Sequence, residues 1–192
     1  MKKFFVEIGA NYFSNLVYLA RDEGWNGLVV EPVPEYFNLI ERVEGVSYEN
    51  SIIGTERGNF PFYYVTQETI KRMNLGDWMR GVGSLHKYHT DNARNILSEI
   101  VLPMITVADL LEKHKVEKID YLKIDAEGHD CEILKQFDVD AIDSITFEWR
   151  NCNPSEINRE MQRLSKSDFS YVIRDDNIIA YRQKAYGTLK CA

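Results

Sequence analysis

A mostly parallel, doubly wound α/β sheet that ends in an antiparallel hairpin, with helices on both faces, is the fold class this sequence predicts. Three observations carry it. Strand-like and helix-like segments alternate from Phe4 to Ile53 as a βαβαβ unit. A second apolar run, Ile119 to Ala126, is flanked by helix-like segments, as a central strand of a parallel sheet would be. The two last apolar runs are joined only by Arg174-Asp175-Asp176-Asn177, and a connection that short makes an antiparallel hairpin.

Taken in order, Phe4 to Ile8 reads as the first strand and Ser14 to Glu23 as a helix with Ser14 as its N-cap. Asp22-Glu23-Gly24 and Trp25-Asn26-Gly27 break that helix before a strand from Gly27 to Glu31. Pro32 and Pro34 stop the strand and launch a helix from Glu35 to Val43, and Val46 to Ile53 is the third strand. After Gly54 the pattern turns irregular as far as Asn95, with a short strand from Phe60 to Val65. Ile100 to Ile105 is another strand, and Thr106 caps a helix from Val107 to about His114. Beyond the central strand we expect a helix from about Asp130 to Phe137 and a strand from Ser144 to Trp149. A helix from Pro154 to Ser167 follows, with Ile157, Met161 and Leu164 at helical spacing, and the hairpin strands Phe169 to Ile173 and Ile178 to Tyr181 close the chain.

The whole of 1–192 is expected to form one domain, with an insertion or lid at about 66–97. An apolar content of 44% and an aromatic content of 12% are those of a globular protein. The net charge of −7 and pI near 5.2 argue against a general nucleic-acid or membrane-surface binder, because both partners are anionic. Cys131, Cys152 and Cys191 are odd in number and contain no Cys-x-x-Cys pair, so neither a disulfide framework nor a zinc knuckle is indicated. A reduced, cytoplasmic setting is expected, with no signal peptide, since Glu7 interrupts the opening apolar run. Oligomeric state is not legible, although Trp78, Met79 and Leu85 could offer a partner surface.

Charge concentrates in Tyr121-Leu122-Lys123-Ile124-Asp125-Ala126-Glu127-Gly128-His129-Asp130. Side chains alternate along a strand, so Lys123, Asp125 and Glu127 point one way and Leu122, Ile124 and Ala126 the other. Buried charges must pair or meet a ligand. Lys123 and Asp125 could form an ion pair that only holds the strand in register. Glu127 and His129 flank Gly128 where the chain leaves the strand, and open α/β sheets bind ligands at the carboxyl ends of their strands.

A second cluster follows the first strand, at Glu7-Ile8-Gly9-Ala10-Asn11. Gly9 allows close backbone approach there, yet Asn11, Tyr12 and Phe13 stand where a pyrophosphate-binding turn would carry glycines. That disfavours a nicotinamide or flavin cofactor. Glu31, about twenty residues on at the end of the second strand, can accept both hydroxyl protons of an adenosine ribose. Carboxylates at two adjacent strand ends suit a cofactor bearing an ammonium and a sulfonium, and S-adenosylmethionine is one.

Val6-Glu7-Ile8-Gly9-Ala10-Asn11, Val29-Val30-Glu31-Pro32-Val33-Pro34, Gly83-Ser84-Leu85, Thr106-Val107-Ala108-Asp109-Leu110-Leu111 and the stretch from Ile119 to Asp130 together resemble the ordered motifs of FkbM-type methyltransferases. The resemblance spans roughly residues 4 to 150 and is most specific at the Lys-Ile-Asp-x-Glu-Gly element. It implies the class I, Rossmann-like, S-adenosylmethionine-dependent fold, with transfer to a hydroxyl, often on a sugar. The chain departs from the pattern at Glu7, where aspartate is usual, and at Phe13, where a second glycine is usual. The Phe13 ring is expected to narrow the methionine end of the pocket. Should it close that pocket, the alternative is a non-catalytic binding module that keeps the fold.

On this reading the cofactor is held by Glu7, Gly9, Ala10, Asn11, Ser14, Glu31, Pro32, Asn50, Ser51 and Asp125. An alcohol is a poor nucleophile at neutral pH and needs a general base or a metal. His129 or Glu127 is expected to be the base, with Asp125 and Lys123 fixing their loop. Asp125, Glu127 and Glu148 are hard oxygen ligands that Mg²⁺ would accept, but their spacing is not diagnostic and no metal is assigned. Within the insertion, Lys71, Arg72, Arg80, Lys87 and Arg94 outnumber Asp77 and Asp91, a surplus of about +3 in an acidic chain. The insertion is either a solvated surface excursion or a lid over the acceptor, hinged at Gly81 and Gly83. As a lid it would supply Ser84, His86, Lys87 and His89 to the acceptor, with Glu148 opposite and Tyr88 adding a stacking group. A small-molecule or glycan acceptor is the expected partner, with no nucleic acid and no membrane.

Overall fold

The computed structural model describes residues 2–87 and 95–182. Its main sheet has seven strands: β1 (Phe4–Ile8), β2 (Asn26–Val30), β3 (Val46–Glu49), β7 (Ile119–Ile124), β8 (Ile142–Glu148), β9 (Phe169–Arg174) and β10 (Asn177–Arg182). They lie in the order β3-β2-β1-β7-β8-β10-β9. The pairs from β3 through β8 are parallel, and β10 enters antiparallel between β8 and β9. This is the expected mostly parallel sheet with its closing hairpin. Asp175, at φ +50°, takes the left-handed turn position between the hairpin strands, which Asp tolerates better than most residues.

Side-chain alternation divides the core between two faces. Val6, Ile8, Leu122, Ile124, Ile145 and Phe147 turn to the face covered by α4 (Val107–His114), α5 (Asp130–Leu134) and α6 (Pro154–Lys166). Phe5 and Val29 turn to the other face and pack on α1 (Val17–Glu23). Each of these strand residues is at most 3% exposed, and burying such a side chain is worth about 1.5–3 kcal/mol. Thr106 caps α4 as expected, in a reciprocal capping box with Asp109.

Several boundaries differ from expectation, each because a side chain takes over backbone groups that a longer element would use. The third strand breaks where the Asn50 amide donates to the carbonyls of Glu31 and Pro32, at 2.8 and 2.9 Å. Its second half becomes β4 (Ile52–Ile53), which joins β5 (Gly58–Tyr64) and β6 (Ser98–Ile105) in a separate three-stranded sheet of order β4-β6-β5. The helix expected from Glu35 to Val43 is only α2 (Pro34–Phe37), since Tyr48 Oη accepts from Val43 N and donates to Glu41 O. Helix α5 ends at Leu134 rather than Phe137, and the Arg163 guanidinium donates to the carbonyls of both.

The described part of the expected insertion, 66–87 and 95–97, contains regular structure. It contains α3 (Gln67–Met73) and a 3-10 turn at Asp77–Gly81, and Val65, Ile70, Met79 and Val82 form a small core of their own. Met79 is therefore buried and Leu85 partly so, leaving Trp78, 62% exposed, as the one residue of that trio on the surface. No helix among the described residues is long and apolar enough to cross a membrane.

Candidate active site

Register brings the carboxyl ends of four strands to one edge. Ile8 lies opposite both Val30 and Ile124, and Ile124 lies opposite Phe147. The next residues, Gly9, Glu31, Asp125 and Glu148, therefore emerge side by side. A cleft lies there, and its walls include Gly9, Asn11, Glu31, Pro32, Ser51, Asp125, Glu127 and His129. Apolar Val33, Ile52, Ile53 and Ile133 also line it.

The turn after β1 is built for close approach. Gly9 has φ +85°, and a Cβ on it would stand 1.8 Å from the Asp125 carbonyl oxygen, so only glycine fits between β1 and β7. Asn11, at φ +59°, donates its backbone N–H to Glu31 Oε2 at 2.8 Å, and Val33 N–H donates to Glu31 Oε1 at 2.8 Å. Burial nevertheless pushes the Glu31 carboxyl up to about 7, against the pull of those N–H groups.

Glu7 does not reach the cleft wall. Its carboxylate is fully buried, accepts from the Ser14 hydroxyl and from the N–H groups of Asn15 and Leu16, and faces Lys123 Nζ at 3.6 Å. Ser14 in turn accepts from Leu16 N and Val17 N, so it caps the turn into α1 although the helix itself begins only at Val17. Lys123 bridges Glu7 and Asp125, 3.2 Å from Asp125 Oδ2. Burial opposes its charge, but Asp125 and Glu7 outweigh that and hold its pKa above the ordinary value. Ala10 and Asn50 likewise sit behind the walls, Ala10 buried among the residues that pack on α1. Phe13 is 48% exposed, edge-on to Tyr12 and outside the walls, so it does not narrow the cleft. The reading of a closed cofactor site loses its physical basis.

At the other end, Glu127 and Gly128 both adopt left-handed backbone, at φ +47° and +94°, which swings the chain sharply out of β7. One oxygen each from Asp125, Glu127 and Glu148 lies within 4.8 Å of the others. The Asn151 amide donates to Glu127 at 3.2 Å and to Glu148 at 3.3 Å. Burial and the charges of Glu127 and Asp125 push Glu148 up to about 7. His129 Nε2 is buried without a hydrogen-bond partner among the described residues, and burial lowers the ring's pKa, which favours neutral imidazole. His129 and Leu85 also border a second hollow, lined by Thr55, Glu56, Phe60, Pro61 and Met104.

Of the groups expected at the acceptor, Ser84 is buried and donates to the Glu127 carbonyl at 3.3 Å, while its own backbone pairs with Tyr63. His86 and Lys87 are exposed, with Lys87 Nζ 5.7 Å from the Tyr63 ring centre. His89 lies outside the described residues, as do Tyr88, Asp91, Arg94 and Cys191.

Three polar groups were left out of the expected site. Asp130, with no exposed surface, accepts from the N–H groups of Ala126 and Glu148 at 3.2 Å each and so ties the ends of β7 and β8 together. Burial and the nearby Asp125 charge raise its pKa to about 7. Its place in an acidic motif signalled it, but nothing local showed that it would turn inward. Arg80 and Tyr36 both stand in the cleft wall, and only the tertiary path of the insertion brings Arg80 there.

Residues 7–173 match the family described as "Methyltransferase FkbM domain". No curated protein matches the sequence. Similar solved structures include M. capricolum TrmK with S-adenosylhomocysteine, at 14% identity and TM-score 0.39, covering 95% of this chain and 62% of that one. The fibrillarin/Nop5p complex is matched at 14% identity and TM-score 0.41, over 94% of this chain and 73% of the other. The N-terminal domain of human METTL16 with S-adenosylhomocysteine is matched at 13% identity and TM-score 0.40, over 95% and 62%. This chain thus spans less than two thirds of the length of the TrmK chain. The chain belongs to the FkbM methyltransferase family.

Proposed function

We propose that this chain is an S-adenosylmethionine-dependent methyltransferase that transfers the methyl group to a hydroxyl of a sugar or glycosylated small molecule, with His129 or Glu127 as the general base. The observation that carries the reading is the unpartnered, buried Nε2 of His129 at the border between the cleft and the second hollow, two residues beyond Glu127. Methyl transfer is an in-line displacement at the methyl carbon of a sulfonium, so donor and acceptor have to be aligned and water kept out. A neutral imidazole with a free nitrogen can take the proton that an alcohol loses as its oxygen forms the new C–O bond.

Glu31 would accept the ribose hydroxyls, and Val33, Ile52 and Ile53 would pack on the adenine. The sulfonium would lie toward Asp125. Glu127 and Glu148 are hydrogen-bond acceptors suited to a polyhydroxylated acceptor, and Asn151 keeps them together. The proposal of Lys87 and His86 as acceptor contacts rests on their exposure at the rim beside Leu85.

Glu127→Gln and His129→Ala, assayed separately with a panel of sugar acceptors, are expected to lower turnover by about 10²–10⁴-fold at the variant that removes the base. S-adenosylhomocysteine affinity, read by calorimetry, should stay within about twofold in His129→Ala, since His129 is placed on no part of the cofactor. Near-normal turnover in both variants would reject the base assignment.

A further inference from the structure

Arg80 is a largely buried cation without a buried counter-ion. Its side chain is 13% exposed, whereas Asp77, its only hydrogen-bond acceptor among the described residues, is 72% exposed and takes Nε at 3.0 Å. The guanidinium lies over the Tyr12 ring at 4.9 Å, and the residue stands in the cleft wall. An exposed partner on one nitrogen recovers little of the cost of burying a guanidinium, whose two terminal nitrogens form a fork shaped for a carboxylate.

Charge in the cleft points to what fills that fork. Among the described wall residues Arg80 is the one permanent cation, against the carboxylates of Glu31, Asp125 and Glu127. S-adenosylmethionine carries two cationic groups, the ammonium and the sulfonium, and a single anionic one, its α-carboxylate. The cations have Asp125 and Glu127 to face. The α-carboxylate is repelled by both and has Arg80. Position agrees, because the neighbouring Gly81 would place a Cβ 3.6 Å from Asn11 Nδ2 and 3.7 Å from Glu127 Oε1. The loop bearing Arg80 therefore runs across the turn after β1, and Arg80 leans on Tyr12 of that same turn.

We propose that Arg80 is a cofactor-binding residue that grips the α-carboxylate of S-adenosylmethionine, so that the insertion recognises the donor as well as roofing the cleft. The inference rests on the methyltransferase reading of the cleft. It predicts that the enzyme discriminates intact cofactor from forms that lack the carboxylate, and that Arg80 is the source of that discrimination.

The test is a cycle of four dissociation constants, measured by calorimetry on the full chain: wild type and Arg80→Met, each with S-adenosylhomocysteine and with its decarboxylated analogue. Wild type should bind the intact ligand at least about tenfold more tightly, as for a charge-assisted bidentate pair. Arg80→Met should lose that preference while binding the decarboxylated analogue as wild type does, and Arg80→Lys should retain part of it. Equal weakening of both ligands would make Arg80 a prop for the pocket and overturn the proposal, as would no change with either. Failure of wild type to bind either ligand would instead overturn the cofactor reading itself. Unfolding midpoints of the variants matching wild type would show that the comparison is made on folded protein.

Discussion

The two ends of the cleft surround their buried carboxylates with different partners. After β1 and β2, Glu7 and Glu31 are held by backbone N–H groups, with Lys123 and Ser14 assisting Glu7. After β7 and β8, the carboxyls of Asp125, Glu127, Glu148 and Asp130 crowd together, and burial with mutual repulsion lifts both Glu148 and Asp130 to about 7. The first arrangement makes a rigid cradle with fixed acceptors. Burial raises Glu31 to about 7 as well, but only at the second end do two such carboxyls stand in one cluster near neutrality, where acid–base groups work best. The proposed transfer to a hydroxyl needs both, a cradle for the donor and a proton acceptor for the nucleophile.

Substituting Gly9 should have the largest effect, because this residue locks the two ends together. Gly9→Ala would drive a Cβ into the Asp125 carbonyl at a left-handed φ, and a loss of at least about 3 kcal/mol in urea unfolding is expected. A stable Gly9→Ala protein with normal cofactor affinity would show that the cradle and the carboxylate cluster move independently.

A smaller effect separates the ends by pH. Glu148 has its folded pKa raised from 4.5 to about 7, so between those values the folded state binds more protons than the unfolded one. Stability contributed there is present below about pH 4.5 and is lost as pH rises through about 7. Thermal unfolding of wild type followed from pH 4.5 to 8 should fall more steeply than that of Glu148→Gln. Parallel curves for the two proteins would mean that the cluster is not under electrostatic strain.

The smallest effect is expected at Phe13, which the sequence placed beside the cradle and the fold turned outward. Phe13→Ala should change S-adenosylhomocysteine affinity by less than about twofold, as for a surface substitution. A gain of tenfold would restore the narrowing that the ring's position argues against.

Legibility followed range along the chain. The alternation of Lys123, Asp125 and Glu127 with Leu122 and Ile124 is local and predicted the central strand and its charged end. Thr106 with Asp109 is local too, and the capping box formed as read. Pairing across the fold was not legible: Glu7 and Lys123, 116 residues apart, meet only because β1 and β7 are neighbours in register. For that reason Glu7, expected at the cofactor, was found buried behind the cleft wall, and Asn50 was found bending the chain between two sheets.

By itself the sequence determined the order of elements, the parallel sheet with its antiparallel close, and the family, because each of these rests on periodicity and on motifs a few residues long. The tertiary structure alone decided which polar groups face the cleft. Asp130 turned inward to clamp two loops, Phe13 turned out, and Arg80 crossed from the insertion to the turn after β1. The physical reason is that a charge settles where its desolvation is best compensated, and the compensating partners are set by the sheet's register and the insertion's path rather than by neighbours in sequence.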